Sequence, residues 1–320
     1  MTSKKPELKW VNPREAIWGF HVHQELPKEQ FGKSLVIQEN CSAFLKKNGI
    51  EISANASFTP GYGPHLAYMW ELRVEEKPKN ILEQLGLAIS FMAINRFGLS
   101  AYIHPLTHDD SLEDDLETEG RDNQNNTLWF SYRVDQKLDF FFHPPRTADG
   151  KVVDTRTKRV MSQEQKDEEY KNNQGLKASD FLDPFKIIQR GFHIHMDYKD
   201  DEAPIATQIY DNFLSFLESE GIKPTSHCYY KPGENGPHIQ GGWEVKFETT
   251  DPKVFTNIGI AVSWLMCNRQ GISIFMHPVT WQEGQHRLEY NAHDQYAMFI
   301  GDLVPLDLTF FTKNIPNFKK

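Results

Sequence analysis

The stretch Gly191-Phe192-His193-Ile194-His195-Met196-Asp197-Tyr198 alternates apolar and titratable side chains. A period of two describes a strand with Phe192, Ile194, Met196 and Tyr198 on one face and His193, His195 and Asp197 on the other. Nearly the same phrase stands earlier as Gly19-Phe20-His21-Val22-His23-Gln24-Glu25, with His21 and His23 in the places of His193 and His195. Further pairs keep a nearly constant offset. Gly49-Ile50 matches Gly221-Ile222, Gly63-Pro64-His65 matches Gly236-Pro237-His238, and Asn95-Arg96 matches Asn268-Arg269. His104-Pro105-Leu106-Thr107 likewise matches His277-Pro278-Val279-Thr280, so the chain reads as an internal duplication.

Between these anchors each half has the same order of elements. In the first, Lys28 to Lys47 has apolar residues at helical spacing and Gly49 where a C′ residue ends a helix. A hairpin follows, Glu51 to Phe58 and Ala67 to Glu75 around Pro60-Gly61-Tyr62-Gly63-Pro64. A second helix over Asn80 to Arg96 and a strand over Leu99 to His104 complete the unit. In the second, a helix ends at Gly221, a turn falls at Pro232 to Pro237, and Trp243 to Glu248 is a strand. Asp251 as N-cap and Pro252 at N1 open the last helix. Strand, helix, strand, strand, helix, strand is the ferredoxin-like order, so the fold class is α+β, with two tandem βαββαβ units in a pseudo-dimer. The units are assigned to residues 1–146 and 189–320, with a polar linker over 147–188 in which Ser162 to Asn172 is a candidate helix capped by Ser162. Met1 to Trp18 shows no sign of a fold and reads as an arm. Two helices cover one face of a four-stranded sheet, so the uncovered faces of the two units are expected to lie together.

At 320 residues the chain is long enough for two cores. Its 35 basic and 44 acidic side chains give a net charge of −9, and no basic cluster is suited to a run of phosphates, which argues against nucleic acid. Cys41, Cys228 and Cys267 lack metal-ligand spacing and read as thiols of a reducing compartment. No apolar stretch suits a signal peptide or a bilayer span, so the expected location is the cytoplasm, without membrane attachment.

The histidines carry the chemistry. One histidine in a strand is usually a satisfied core or surface group, but here several converge. His193 and His195 stand on one face with Cα atoms roughly 6.5 to 7 Å apart, a spacing from which two imidazoles can share a metal or a substrate. In a ferredoxin-like sheet of order 4-1-3-2 the last strand lies beside the first, and alternation puts Ser273, Phe275 and His277 opposite Ile274 and Met276. His277 then joins His193 and His195, and His238 reaches the same sheet from its other end. Such a cluster needs a metal or an acid partner. Asp197 stands about 13 Å of strand from His193 and is expected to support the site from its rim. Arg96 and Arg269 suit helix C-termini, and Arg269 is also a candidate clamp for a substrate carboxylate.

These motifs, with His293 and the tail Gly301 to Pro305-Leu306-Asp307-Leu308, resemble the fungal and bacterial DOPA 4,5-dioxygenase family. The resemblance implies that one chain supplies both partners of a sheet-paired dimer, as a monomeric pseudo-dimer or a weak homodimer. It implies extradiol cleavage of a catechol with non-heme Fe(II) and O₂, the partners being a small aromatic substrate and dioxygen. It puts His193, His195 and His277 on the metal or the substrate and makes His238, His293 and His195 acid/base candidates, with Arg269 and His65 as substrate contacts. The first unit keeps His21, His23, His65 and His104 as a possible second site, yet has Asp122-Asn123 in the place of His293 and lacks the Pro-Leu-Asp-Leu tail. His108 and Trp281 stand where the family usually has glycine. Two other functions fit the residues: a metal-independent histidine acid/base isomerase or lyase, and a non-catalytic binding protein with relic histidines.

Overall fold

The computed structural model describes residues 8–75, 79–107, 115–134, 136, 159–188, 190–280 and 286–313. The first unit runs α1 (Pro13–Ala16), β1 (Ile17–Leu26), α2 (Lys28–Lys47), β2 (Ala54–Phe58), β3 (Tyr68–Val74), α3 (Ile81–Asn95), β4 (Ala101–Thr107), α4 (Asp115–Asn125) and β5 (Leu128–Phe130). Between the units lie α5 (Gln163–Tyr170) and α6 (Pro184–Ile187). The second unit runs β6 (Phe192–Tyr198), α7 (Ala203–Ser219), β7 (Ser226–Tyr230), β8 (Gly241–Phe247), α8 (Val254–Asn268), β9 (Ile274–Pro278), α9 (His286–Asp294), β10 (Met298–Ile300) and α10 (Thr309–Lys313). The ferredoxin-like order and the α2 boundaries agree with the sequence reading. The α8 helix starts later than expected, because Asp251 Oδ1 accepts from Lys253 N and a tight turn precedes Val254.

The expected face-to-face stacking of the two sheets is not what forms. All ten strands make one sheet in the order β2-β3-β1-β4-β5-β10-β9-β6-β8-β7. Each unit carries the anticipated 4-1-3-2 order plus a fifth strand, and the units meet edge to edge where β5 pairs antiparallel with β10, Trp129 opposite Phe299. Joining edges satisfies the backbone groups that an edge strand would otherwise expose. On the helical side α3 crosses α8 with glycines at the contact. A Cβ on Gly86 would lie 2.0 Å from Phe255 O, and one on Gly259 would lie 2.0 Å from Leu82 O. One continuous core results, holding Phe20, Val22, Leu85 and Ile103 with Ile194, Met196, Ile258 and Ile274.

The Asn-Arg motif ties the units together by reciprocal bonds. Asn268 binds the backbone of Val11 through Nδ2–H···O, 2.8 Å, and accepts from Val11 N at 2.7 Å. Asn95 grips Leu182 in the same way, at 2.9 and 2.7 Å. Trp10 to Arg14 of the supposed arm are therefore docked on the folded units. Trp10 stacks on Trp264 with ring centroids 5.6 Å apart, and Arg14 bridges Glu83 of the first unit and Glu220 of the second.

The segment between the units is likewise docked where it is described. Ser162 caps α5 through a full capping box, as its sequence indicated. The α5 end packs so closely on α2 that a Cβ on Gly32 would lie 2.1 Å from Glu169 O. Arg159 to Met161 pairs with the outer edge of β2 through Thr59 N–H···O Arg159 and Met161 N–H···O Ser57, 2.9 and 2.8 Å. Residues 147–158, His108 and Trp281 lie outside the described residues. No described helix is long and apolar enough to cross a membrane.

Candidate metal centres and active site

The face of the sheet away from α2, α3, α7 and α8 carries the histidines, because their neighbours at odd spacing are the apolar residues that those four helices cover. In the second unit His193 on β6 stands directly opposite His277 on β9, and His195 stands opposite Glu244 on β8. One ring nitrogen each from His193, His195 and His277 lies within 4.8 Å of the others, and all three residues are buried. The ring centroids of His193 and His277 are 5.0 Å apart, and those of His195 and His277 5.6 Å apart.

The hydrogen bonds around this triad leave lone pairs facing inward. His193 Nε2 lies 2.7 Å from Glu248 Oε1, a bond that holds the Glu248 carboxyl below the usual carboxylate range. His277 Nδ1 points to Pro278 O at 3.3 Å, which makes Nδ1 the protonated nitrogen and leaves Nε2 as acceptor. Burial, then the neighbouring His238 and His277, pushes the His195 imidazole well below its ordinary value. Burial, then His293 and His193, does the same to His277. Both nitrogens of His195, and Nε2 of His277, are buried with no hydrogen-bond partner among the described residues. Converging imidazole nitrogens with outer carboxylate or carbonyl partners are what a divalent metal requires, so the triad fits one.

Beside the triad sits a dyad. His238 Nδ1 lies 2.9 and 3.0 Å from the two oxygens of buried Asp197. An ionised carboxylate only accepts, so Nδ1 carries the proton and Nε2 the lone pair. Tyr230 Oη donates to the same Asp197, and burial, followed by the Asp197 charge, raises the Tyr230 phenol. The His238 ring stacks on His195 at 4.2 Å, while His293 lies 4.0 Å from His277. The Pro-Leu-Asp-Leu tail closes over this corner: Leu306 bridges to His238, and Asp307 N donates to Pro237 O at 2.8 Å. Asp197 thus supports the site, by orienting His238.

The first unit repeats the plan with differences. His21, His23 and His104 form a second buried triad, with His21 Nε2 3.1 Å from Glu75 Oε1 and the Glu75 carboxyl lowered to about 2, chiefly by that bond. Here, however, His23 Nε2 and His104 Nε2 lie 3.1 Å apart, so one donates to the other. His65 pairs with Glu25 Oε2 at 3.0 Å and with Tyr102 Oη at 3.1 Å, where the second unit has Phe275 in place of the tyrosine. Asn123 takes the position of His293 and donates to Glu119 O. Asp122 binds Thr107 N at 2.7 Å, and burial lifts its carboxyl to about 6 despite that bond.

One sequence expectation about the site needs correction. Arg269 is not placed as a substrate clamp: its Nε and Nη2 donate to Asn125 O across the seam, at 3.0 and 2.9 Å, and Nη1 donates to Ile272 O. Arg96 mirrors it, donating to Gln295 O and Leu99 O. A charge-assisted bond to an inter-unit carbonyl explains an arginine at each helix end. His65, expected as a substrate contact and as part of a second site, lies in the first cluster, with its ring 5.6 Å from that of His23. With four strands between β1 and β6, the two clusters stand roughly 24 Å apart along the sheet. Glu244, Glu248 and Tyr230 were missed from sequence. Glu71 and Glu75 recur as Glu244 and Glu248 at the duplication's own offset, a signal that was there to be read.

Fold and site together define a tandem α+β protein with one candidate metal centre per unit. The Dopa 4,5-dioxygenase family model matches residues 18–140 and again 192–310. The chain belongs to that family and contains its unit twice. A candidate dioxygenase of known crystal structure from Nostoc punctiforme PCC 73102 is 25% identical over 40% of this chain and 96% of its own, with a TM-score of 0.32. A chlorite dismutase from Candidatus Nitrospira defluvii, in complex with imidazole, is 11% identical over 79% of this chain and 86% of its own, with a TM-score of 0.19. No functionally curated protein matches this chain.

Proposed function

We propose that the protein is an extradiol-type dioxygenase that opens the ring of a catechol, DOPA or a related aromatic metabolite, with its principal site in the second unit. The observation that carries this reading is the triad His193, His195 and His277 beside the Asp197–His238 dyad, in a member of the Dopa 4,5-dioxygenase family. The three imidazoles would hold a non-heme Fe(II), which when bound supplies positions for vicinal phenolic oxygens and for dioxygen.

The chain's own residues do the rest. His238 Nε2, left with its lone pair because Nδ1–H binds Asp197, takes a proton from a catechol hydroxyl and can return it as the ring opens. His293, beside His277, offers a second imidazole for the distal hydroxyl or the developing product charge. Phe275, whose ring centroid lies 5.5 Å from that of His195, forms an apolar wall that limits water. Catechol plus O₂ balances to one ring-opened semialdehyde acid, with both oxygen atoms retained.

Anaerobic loading of the purified protein with Fe(II), followed by catechols and air, should give a yellow semialdehyde and one O₂ consumed per catechol. Absence of turnover with every catechol tried, together with no bound iron, would refute the reading. The Asp197–His238 dyad alone also suits metal-free isomerase or lyase chemistry. That reading predicts activity that survives a strong chelator.

A further inference from the structure

The metal reading above rests on three imidazoles, but the second-unit cluster contains a fourth inward group. Glu244 is 3% exposed, and its two oxygens have different neighbours. Oε2 is held by Lys246 Nζ at 3.2 Å. Oε1 faces His193 Nδ1 at 3.6 Å and His195 Nε2 at 3.5 Å, and His195 Nε2 is one of the orphaned buried nitrogens. A buried carboxylate oxygen beside imidazole nitrogens to which it makes no hydrogen bond is left under-satisfied, and a cation among them would supply the missing partner. Separations of 3.6 and 3.5 Å are within the reach of groups that share one ion at about 2.1 Å from each.

The same device occurs in the first unit. Arg73 Nε donates to Glu71 Oε1, while Glu71 Oε2 lies 3.8 Å from both His21 Nδ1 and His23 Nε2. In each unit a basic side chain two residues along the strand holds one oxygen and aims the other at the imidazoles. Glu244 on β8 and His277 on β9 flank β6 from its two sides.

We propose that Glu244 is a fourth protein ligand, making the second-unit centre three histidines and one glutamate, with Lys246 as the residue that positions the carboxylate. The inference depends on the metal centre of the preceding section. It adds one carboxylate, and its negative charge, to the three imidazoles that would hold the ion.

The test is anaerobic titration of the full chain with Co(II), reading affinity by calorimetry and ligand geometry by visible d–d absorption. Wild type, Glu244→Gln, Glu244→Asp and Lys246→Met are compared. Glu244→Gln should weaken one class of site by roughly tenfold to a hundredfold and alter its d–d bands, with Lys246→Met intermediate. Should Glu244→Gln fail to fold, Glu244→Asp carries the comparison: it keeps the charge, shortens the reach and should still shift the bands. Co(II) binding with unchanged affinity and spectrum in the folded Glu244 variants overturns the ligand assignment while leaving the triad in place. No Co(II) binding by wild type overturns the metal centre itself, and this inference with it.

Discussion

The two units share a backbone plan and differ where proton transfer would be carried out. In the second, both nitrogens of His195 and Nε2 of His277 face inward without hydrogen-bond partners among the described residues, His238 is set by Asp197, and His293 adjoins His277. In the first, His23 and His104 bond each other, Tyr102 also reaches His65, and Asn123 replaces His293. The difference teaches that duplication preserved the ligand geometry more strictly than the acid/base groups. A metal can be held by either triad, but the second unit is better equipped to move a proton.

The sharpest way to break this contrast is to remove one histidine from each half. His238→Ala should lower kcat/KM for catechol-dependent oxygen uptake by roughly 10² to 10⁴-fold, the usual worth of a general base. His65→Ala should change it less than about threefold. Equal losses would mean that both units turn over.

The seam, by contrast, should treat the halves alike. Gly86→Ala and Gly259→Ala each drive a methyl into the opposite helix backbone at 2.0 Å. Both should lose stability in denaturant melts near the top of the ~1–3 kcal/mol range for overpacking. A large difference between the two would show that the two-fold relation of α3 and α8 does not extend to their energetics. Arg96→Gln and Arg269→Gln should cost about 1–3 kcal/mol each, because each leaves a buried carbonyl short of a charged donor. Their KM should stay at the wild-type value; a KM rise confined to Arg269→Gln would restore the substrate-clamp reading.

The smallest effect per group is on pH. Burial is the leading cause of the lowered values of His23, His104, His195 and His277. Their folded values lie well below 6.5, so on acidification the unfolded chain takes up protons first. Stability is therefore fully present above about pH 6.5 and falls below it, by roughly 1.4 kcal/mol per pH unit for each histidine. Denaturation midpoints measured from pH 7.5 to 5 check this, and His195→Asn should flatten the slope. A pH-independent midpoint would mean that these imidazoles are not held neutral.

Much of this was legible because period-two alternation and a 172-residue echo are local signals. Strand β6, helix α2 and the convergence of His193, His195 and His277 follow from facing rules and strand order alone. What was not legible depends on where the units meet. Leu128 to Phe130 is only three residues long, too short to show a period, yet it supplies the central pairing. Arg269 was misread because a cation at a helix end satisfies the macrodipole whether it faces a substrate or a partner's carbonyl. The arm hid its order for a related reason, though Val11-Asn12-Pro13 has a counterpart in Leu182-Asp183-Pro184, each with its cap residue and proline.

Among the described residues, one end of the ten-stranded sheet is covered by further chain and the other is not. Arg159 to Met161 lies along β2, while four of the five residues of β7, at the far end, are exposed. A repeat that joins by its edges could in principle lengthen without limit, one unit after another, as a filament. The strip of chain on β2 is a terminator at that end, so any growth by strand addition would have only the β7 side to work from.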